Sequence, residues 1–343
     1  MMNETMMAIY RSRMKRKRRY LLMTCLLTVL ALGLMALMLM LGNTIYPVKD
    51  VISVVLGENV KGASFAVGTI RLPRMIVGLF SGFAFGVGGY IFQTMLRNPL
   101  ANPNVIGITT GSSAAAVFCI IVLHASNAFV SIASVIGGLL TAIVIFILSK
   151  GSSFSIGRLI LIGIGIQAML NAFISYLMVI GNTYDLPSAM RWLSGSLNGA
   201  KMENLYPLIV TVCICTPIVL FLANRLEILE LGEQAATSLG VATNKTRLLL
   251  LLSSVLMIAM ATAATGPIAF VAFLAGPIAK KLVGVGFSNI VPAGLIGVIL
   301  VLAADIIGQF AFETRYPVGV ITGIIGAPYL IYLLIRINRK GDL

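Results

Sequence analysis

Charged side chains are scarce in this chain. They form 10% of its 343 residues, against 59% hydrophobic, and the mean hydropathy is +1.01. An ordinary soluble domain carries about 25% charged residues. The polar connecting segments are too few to cover so much apolar surface, which excludes a water-soluble globular domain. The apolar runs are uninterrupted and lack the alternation of a barrel strand, which excludes a membrane β-barrel. Histidine occurs once, at His124, and the four cysteines Cys25, Cys119, Cys213 and Cys215 all fall inside apolar runs, where a thiol behaves as a small hydrophobe. Cys213-Ile214-Cys215 has no histidine beside it, so no metal site is expected. A nucleotide-binding loop is missing as well. The stretch from Gly151 to Arg158 has the wrong gap and ends in arginine, and the stretch from Gly240 to Thr246 lacks the second glycine. Without a nucleophile–base pair either, the chain is not expected to be an enzyme. No polar segment is long enough to fold as a substrate-capturing domain.

What the chain does have is apolar windows near the ~20 residues that cross a bilayer. Ten can be read: Tyr20–Leu41, Met75–Leu96, Val105–Leu123, Ala128–Leu148, Leu159–Ile180, Leu205–Ala223, Leu248–Thr265, Gly266–Val285, Val291–Phe312 and Val318–Ile335. The expected fold class is all-α, a polytopic membrane protein with about ten transmembrane helices. Residues 1–19 are expected to be a basic cytoplasmic tail, 20–338 one transmembrane domain, and 339–343 a C-terminal tail. The first window is too long for a secretory signal and has no small-residue cleavage site before Pro47, so a retained span is expected.

Basic residues set the orientation. With the N-terminus inside, the run from Arg11 to Arg19 and the later loop cations place eighteen of the 25 Lys+Arg in the cytoplasm. Lys49, Lys61, Arg71, Arg74, Arg191, Lys201 and Arg315 are left outside, and an even number of spans returns the C-terminus to the cytoplasm. The formal charge of +14 then reads as topology and attraction to anionic lipid, not as nucleic-acid binding.

Motifs concentrate in three places. Between Arg71 and Gly111, two arginines bracket a proline at the mouth of an apolar helix, and Gly78, Gly82 and Gly86 lie four apart on one face. A lone amide, Gln93, follows near the far end, and then a tight turn, Arg97-Asn98-Pro99-Leu100-Ala101-Asn102-Pro103. The second place is a cytoplasmic segment at about 227–243, containing Leu231-Gly232-Glu233 and Ser238-Leu239-Gly240. It reads as a short amphipathic helix with Ala235, Ala236 and Leu239 as an apolar surface and Glu233 as a charge for a basic partner. The third comprises Gly266-Pro267-Ile268-Ala269-Phe270-Val271 opening a span broken by Pro277, then Ala304-Asp305, Pro317 to Thr322, and Ile325-Gly326-Ala327-Pro328.

Taken together and in this order, these blocks resemble the permease subunits of bacterial ABC importers for ferric siderophores, haem and cobalamin. The resemblance covers nearly everything from Arg71 to Ile335. It implies the type II ABC importer permease fold in the bacterial cytoplasmic membrane. It also implies a second permease subunit, two cytoplasmic ATPases that hold the ATP and magnesium, and an external substrate-binding protein. No cofactor is implied for this chain, because the metal arrives already chelated. A ferric siderophore is the expected substrate, with haem and cobalamin as alternatives. By the same resemblance, Arg71 and Arg74 dock the binding protein, with Arg315 close by. Leu231, Gly232, Glu233, Ala236, Ser238, Leu239 and Gly240 couple to the ATPase. Ser152 and Ser153 sit at the cytoplasmic gate, and Trp192, Gly195 and Ser196 in a short external helix at the outer gate.

Two departures stand out. Where family members carry a Pro-His pair this chain has Gly276-Pro277-Ile278-Ala279, a feature expected of permeases that pair with a non-identical sister. Gln309 stands where some relatives carry arginine. The remaining polar residues read from physics alone. Asp305, the only acid well inside an apolar run, is expected to make structural hydrogen bonds. Gln167 and Asn171 share a helical face and either line a polar pathway or bond neighbouring helices. The glycine ladder is expected to be a close helix contact. An ion-coupled carrier would need more buried titratable groups than Asp305.

Overall fold

The computed structural model describes residues 4–101, 104, 107–149, 156–284 and 286–340, with backbone alone for residues 4, 5, 8, 156 and 336–340. Every regular element among them is helical. In chain order these are α1 (Glu4–Met40), α2 (Val48–Val55), a π-helical stretch (Ser64–Arg71) that runs straight into α3 (Leu72–Met95), α4 (Ile108–Ile121), α5 (Asn127–Ser149), α6 (Ile156–Ile180) and α7 (Leu186–Leu193). A 3-10 turn (Met202–Asn204), α8 (Tyr206–Phe221), α9 (Ala223–Glu230), α10 (Glu233–Ser238), α11 (Thr243–Thr265), α12 (Val271–Val283), α13 (Ile290–Phe310) and α14 (Val318–Lys340) complete it.

Eight of the described helical stretches are long and apolar enough to cross a membrane. Two of the ten expected spans are short: α4 has 14 residues and α12 has 13, about 20 Å of helix each. Left-handed backbone stops both inside apolar sequence, at Gly107 (φ 67°) before α4 and at Phe270 (φ 63°) before α12. The non-helical backbone from Gly266 to Phe270 is buried or half-buried in protein, which is where membrane proteins tolerate irregular chain. The basic segment, expected as a tail, is helical and continuous with the first span. Its Met, Lys and Arg are good helix formers, and α1 reaches about 55 Å over 37 residues. Arg19 on this helix donates to the carbonyls of Leu282 (3.0 Å) and Lys281 (2.9 Å), capping the end of α12.

The core is built around α3. Buried residues make up 78% of its apolar window, against 11% in α6, so α3 is the central post and α6 lies on the perimeter. It packs on α13, α11 and α12. The glycine ladder is the reason α13 comes so close. A Cβ on Gly82 would stand 2.7 Å from the Gly297 carbonyl oxygen and 2.8 Å from Val298 Cα, both backbone atoms. Gly86 meets Ala293 and Gly78 meets Leu302 in the same seam, while Gly89 abuts Ala272 of α12. Small residues permit this backbone approach where hydrophobic driving force between helices is absent.

Pro277 was expected to break its span, but α12 continues through it. A proline has no N–H, so the Phe273 carbonyl four residues earlier loses its helical donor. Gln93 of α3 supplies the missing bond, Nε2 to the Phe273 oxygen at 2.8 Å, in a fully buried setting. Gly276 leaves the room for it, since a Cβ there would collide with the Gln93 side chain. Glycine, proline and glutamine thus form one device across two helices.

Gly82→Ala is expected to destabilise the protein by about 1–3 kcal/mol through overpacking against backbone. Gly33→Ala in α1, where nothing lies within 4 Å, is expected to be neutral or slightly stabilising. Melting temperatures of the two variants in detergent check the contrast; equal values would contradict the seam.

Candidate functional site

The three arginines expected to dock a partner sit on one face of the bundle, and the structure shows what each already holds. The π-helical stretch positions Arg71, whose Nη1 donates to the carbonyls of Leu39 (2.9 Å) and Met40 (2.8 Å) and whose Nη2 donates to that of Thr44 (2.7 Å). Its guanidinium also lies 4.9 Å from the Tyr46 ring centre. Arg71 therefore caps the carbonyl end of α1. One turn on, Arg74 makes a bidentate pair with Asp305 of α13: Nε to Oδ2 at 2.9 Å and Nη2 to Oδ1 at 2.8 Å. The Asp305 side chain is 1% exposed and that of Arg74 14%. Gln309, one turn beyond Asp305, donates a further bond to Oδ2 at 2.6 Å. Arg315 is exposed and donates to Asn43 Oδ1 at 2.9 Å.

Asp305 thus makes structural bonds, as its isolation in an apolar run suggested. The partner had a signal too: an arginine against the positive-inside bias and a carboxylate against the hydropathy each need a counter-charge. Gln309 fills the place of an arginine without adding a charge beside Arg74.

The short helix expected at the outer gate is α7. Asn182 Oδ1 accepts the N–H groups of Tyr184 and Asp185, both at 3.0 Å, in the turn before it. Its buried Ala189 packs with Val117, Ile121 and Leu177. After α7 the chain is pinned by backbone. The Ser196 N–H donates to the Thr265 carbonyl (2.7 Å), and Gly319 N–H donates to that of Gly195 (3.2 Å). Gly195 has φ 68°, and a Cβ there would also run into Pro267. Trp192 and Ser196 are half-buried beside this junction of α7, α11, α12 and α14.

On α6, Gln167 is half-buried and Asn171 exposed, one above the other. Ser152 and Ser153 lie outside the described residues, as do Asn102 and Pro103 of the tight turn. Among the described residues no three His, Cys, Asp or Glu side chains gather as a metal site.

At the opposite end of the bundle, α9 and α10 form a bent arm. Gly232 (φ 109°) makes the bend and Gly240 (φ 79°) ends α10. Lys280 of α12 binds Glu230 at 2.6 Å, and Arg247 of α11 pairs with Glu233 at 3.5 Å, so the arm is tied to two core helices. Burial pushes the Glu227 carboxyl above the usual carboxylate range, Glu230 adds to this, and Lys280 opposes it. One expectation needs correction. Ala236, read as part of an outward apolar surface, is 0% exposed and packs inside its own chain. The outward apolar groups are Leu231 and Leu239, at 65% and 62% exposed, with Glu233, Gln234, Ala235 and Ser238 around them. A six-residue helix lying on the bundle must bury one face, and Ala236 is on it.

Removing either partner of the Arg74–Asp305 pair strands a buried charge, a loss of about 3–5 kcal/mol. Arg74→Gln and Asp305→Asn are each expected to lower the melting temperature sharply, and the double variant to lose much less than the sum. Additive losses would show that the pair is not coupled.

The comparisons with known proteins agree with this geometry. The chain matches the FecCD transport family over residues 27–336. It is 36% identical over 327 residues to the ferric enterobactin transport system permease protein FepG of Escherichia coli (strain K12), covering 94% of this chain and 98% of that one. It is 34% identical over 304 residues to the iron(3+)-hydroxamate import system permease protein FhuG of Bacillus subtilis (strain 168), covering 86% and 90%. Among solved structures, an ABC transporter of metal-chelate type in an inward-facing conformation superposes with TM-score 0.80 at 28% identity, over 92% of this chain and 99% of that one. A helical bundle with apolar spans, matched end to end in both sequence and backbone, is a multi-pass membrane protein, and the chain belongs to the FecCD transport family.

Proposed function

We propose that this chain is the membrane-spanning permease subunit of an ATP-driven importer for ferric siderophores. The observation that carries the reading is the whole-length likeness to permeases of ferric enterobactin and iron(3+)-hydroxamate systems. The expectations that come with it are a sister permease enclosing the pathway, two cytoplasmic ATPases and an external binding protein. Both termini lie in the cytoplasm of a bacterial cell, and the Arg74 face looks outward. The chain performs no covalent chemistry; it alternates access to a pathway.

The geometry supports a division of labour. Motion of an ATPase against Leu231, Glu233 and Leu239 reaches α12 through Glu230–Lys280 and α11 through Glu233–Arg247. From α12 it meets α3 at the Gln93–Phe273 bond. The outer gate hangs from Gly195 and Ser196, and Gln167 and Asn171 face the pathway from α6. On the outer face Arg315 is the most available docking cation. Arg71 and Arg74 offer what donors remain after their internal bonds, and such cations steer an acidic partner during encounter.

Uptake of radiolabelled iron as ferric enterobactin, a ferric hydroxamate and ferric citrate, in cells deleted for this chain and complemented with it, tests the reading. Restored, ATP-dependent uptake of at least one chelate is expected; restoration of haem or cobalamin uptake alone would overturn the siderophore assignment. Leu239→Arg, which places charge on the arm's exposed apolar surface, is expected to release the ATPase in a pull-down while the chain still inserts. Retained ATPase would move the contact elsewhere.

A further inference from the structure

The surface of α2 falls into three sectors. At about 100° per residue, Val51 and Val54 share one side, Lys49, Asp50 and Ser53 a second, and Val48, Ile52, Val55 and the C-cap residue Leu56 a third. The first side faces protein. Val51 is 6% exposed, and a Cβ on Gly68 of the π-helical stretch would stand 3.5 Å from a methyl carbon of Val54. The third side faces out: its four apolar residues are 48% to 75% exposed, and no charge interrupts them. The level of α2 is fixed as well. The chain turns back at the end of α1, where the Tyr46 N–H donates to the Met40 carbonyl at 3.2 Å. The Tyr46 hydroxyl donates to the Gly62 carbonyl at 2.6 Å, and Arg71, which caps α1, also holds the Thr44 carbonyl. α1 is a perimeter span, with 17% of its apolar window buried and Leu32 and Leu37 exposed near its end. α2 packs on both α1 and the π-helical stretch, beside the last turn of that span.

A helix at that level meets three surroundings: its own bundle, water and the edge of the bilayer. The three sectors of α2 match them one to one. We propose that α2 lies in the plane of the membrane interface, with Val48, Ile52, Val55 and Leu56 sunk among lipid acyl chains. Lys49, next to Leu56 around the helix, reaches the headgroups. Such helices bury their apolar face about 5–10 Å into the boundary between headgroups and chains. A docking protein is the other cover for an apolar stripe. This one carries no charge and no hydrogen-bonding side chain, so it offers a protein partner neither steering nor direction. A bilayer needs only the apolar area. So seated, α2 holds the entry to α3 at one depth, since Val54 bears on the π-helical stretch and the Tyr46 ring on Arg71. The leaflet rests on the orientation proposed above; the burial of this face in the interface does not.

Nitroxide accessibility in the assembled transporter, reconstituted in liposomes of phosphatidylcholine and phosphatidylglycerol, tests this. Labels go singly on Val48→Cys, Ile52→Cys, Val55→Cys and Leu56→Cys, and on Lys49→Cys and Ser53→Cys for the polar side. The chain's own four cysteines are replaced by alanine. Each label is read for collisions with oxygen, which dissolves in lipid, and with a water-soluble nickel chelate. The oxygen-to-nickel ratio is expected to be several-fold higher at the four stripe positions than at 49 and 53. Equal ratios would put the stripe in water and overturn the proposal. Stripe labels shielded from both reagents, or shielded only once the binding protein is added, would mean that protein covers the face, and would overturn it too. Where the cysteine-free chain does not assemble, Ile52→Trp and Ser53→Trp carry the test, each read as a difference from the parent protein. Brominated phosphatidylcholine is expected to quench the first and aqueous iodide the second; equal quenching by the bromolipid, or the reverse order, would contradict the placement. Nothing here is read through transport, so a failed siderophore assignment leaves the proposal standing.

Discussion

The close approach of α3 and α13 is the contact on which the rest of the structure depends. Two helices that meet through bulky side chains stand 8–10 Å apart. Here Gly82 and Gly86 face the Gly297 and Ala293 backbone with no room for a methyl group. That proximity sets what happens at both ends of α3. Near its N-terminal end, Arg74 reaches Asp305 in a bidentate pair at 2.8–2.9 Å, possible because the helices that carry them cannot drift apart. Toward its C-terminal end, Gln93 meets the carbonyl orphaned by Pro277. One post therefore holds α13 by packing and charge, and α12 by packing and a single buried bond.

Around that post the structure interrupts its helices deliberately. α12 begins only after Gly266 and Phe270 turn the chain, and the loop from α7 is stitched to that irregular stretch and to the start of α14. The stitching is done by backbone atoms and glycines, and α7 itself packs Leu186, Ala189 and Leu193 with Val117, Ile121 and Leu177, and Trp192 with Ala116, Cys119 and Val130. The arm of α9 and α10 is tied through Lys280 and Arg247 to two core helices.

Much of this was legible in the sequence. Hydropathy located all ten apolar segments, and the four-residue spacing of Gly78, Gly82 and Gly86 announced a close contact. Isolation in an apolar run marked Asp305 as a bonded carboxylate. What stayed hidden depends on backbone angle or on which face is buried. Hydropathy measures apolarity and not φ, so the left-handed residues that shorten α4 and α12 left no trace in it. Ala236 and Leu239 are both apolar, and only packing shows that the first turns in and the second out. Pro277 looked like a break because its compensating donor, Gln93, lies 180 residues before the Phe273 carbonyl it serves.

In the importer proposed above, α3 and α13 move as one body while α7 moves against them. Spin labels at Ile70, just before α3, and Phe310, at the end of α13, report the post; labels at Met190 and Phe310 report α7. All three positions are exposed. Distances measured by double electron–electron resonance in the assembled transporter, with and without ATP, decide the matter. The Ile70–Phe310 distance is expected to stay constant within about 2 Å while the Met190–Phe310 distance shifts by more. An Ile70–Phe310 distance that changes as much as the other pair would contradict the account.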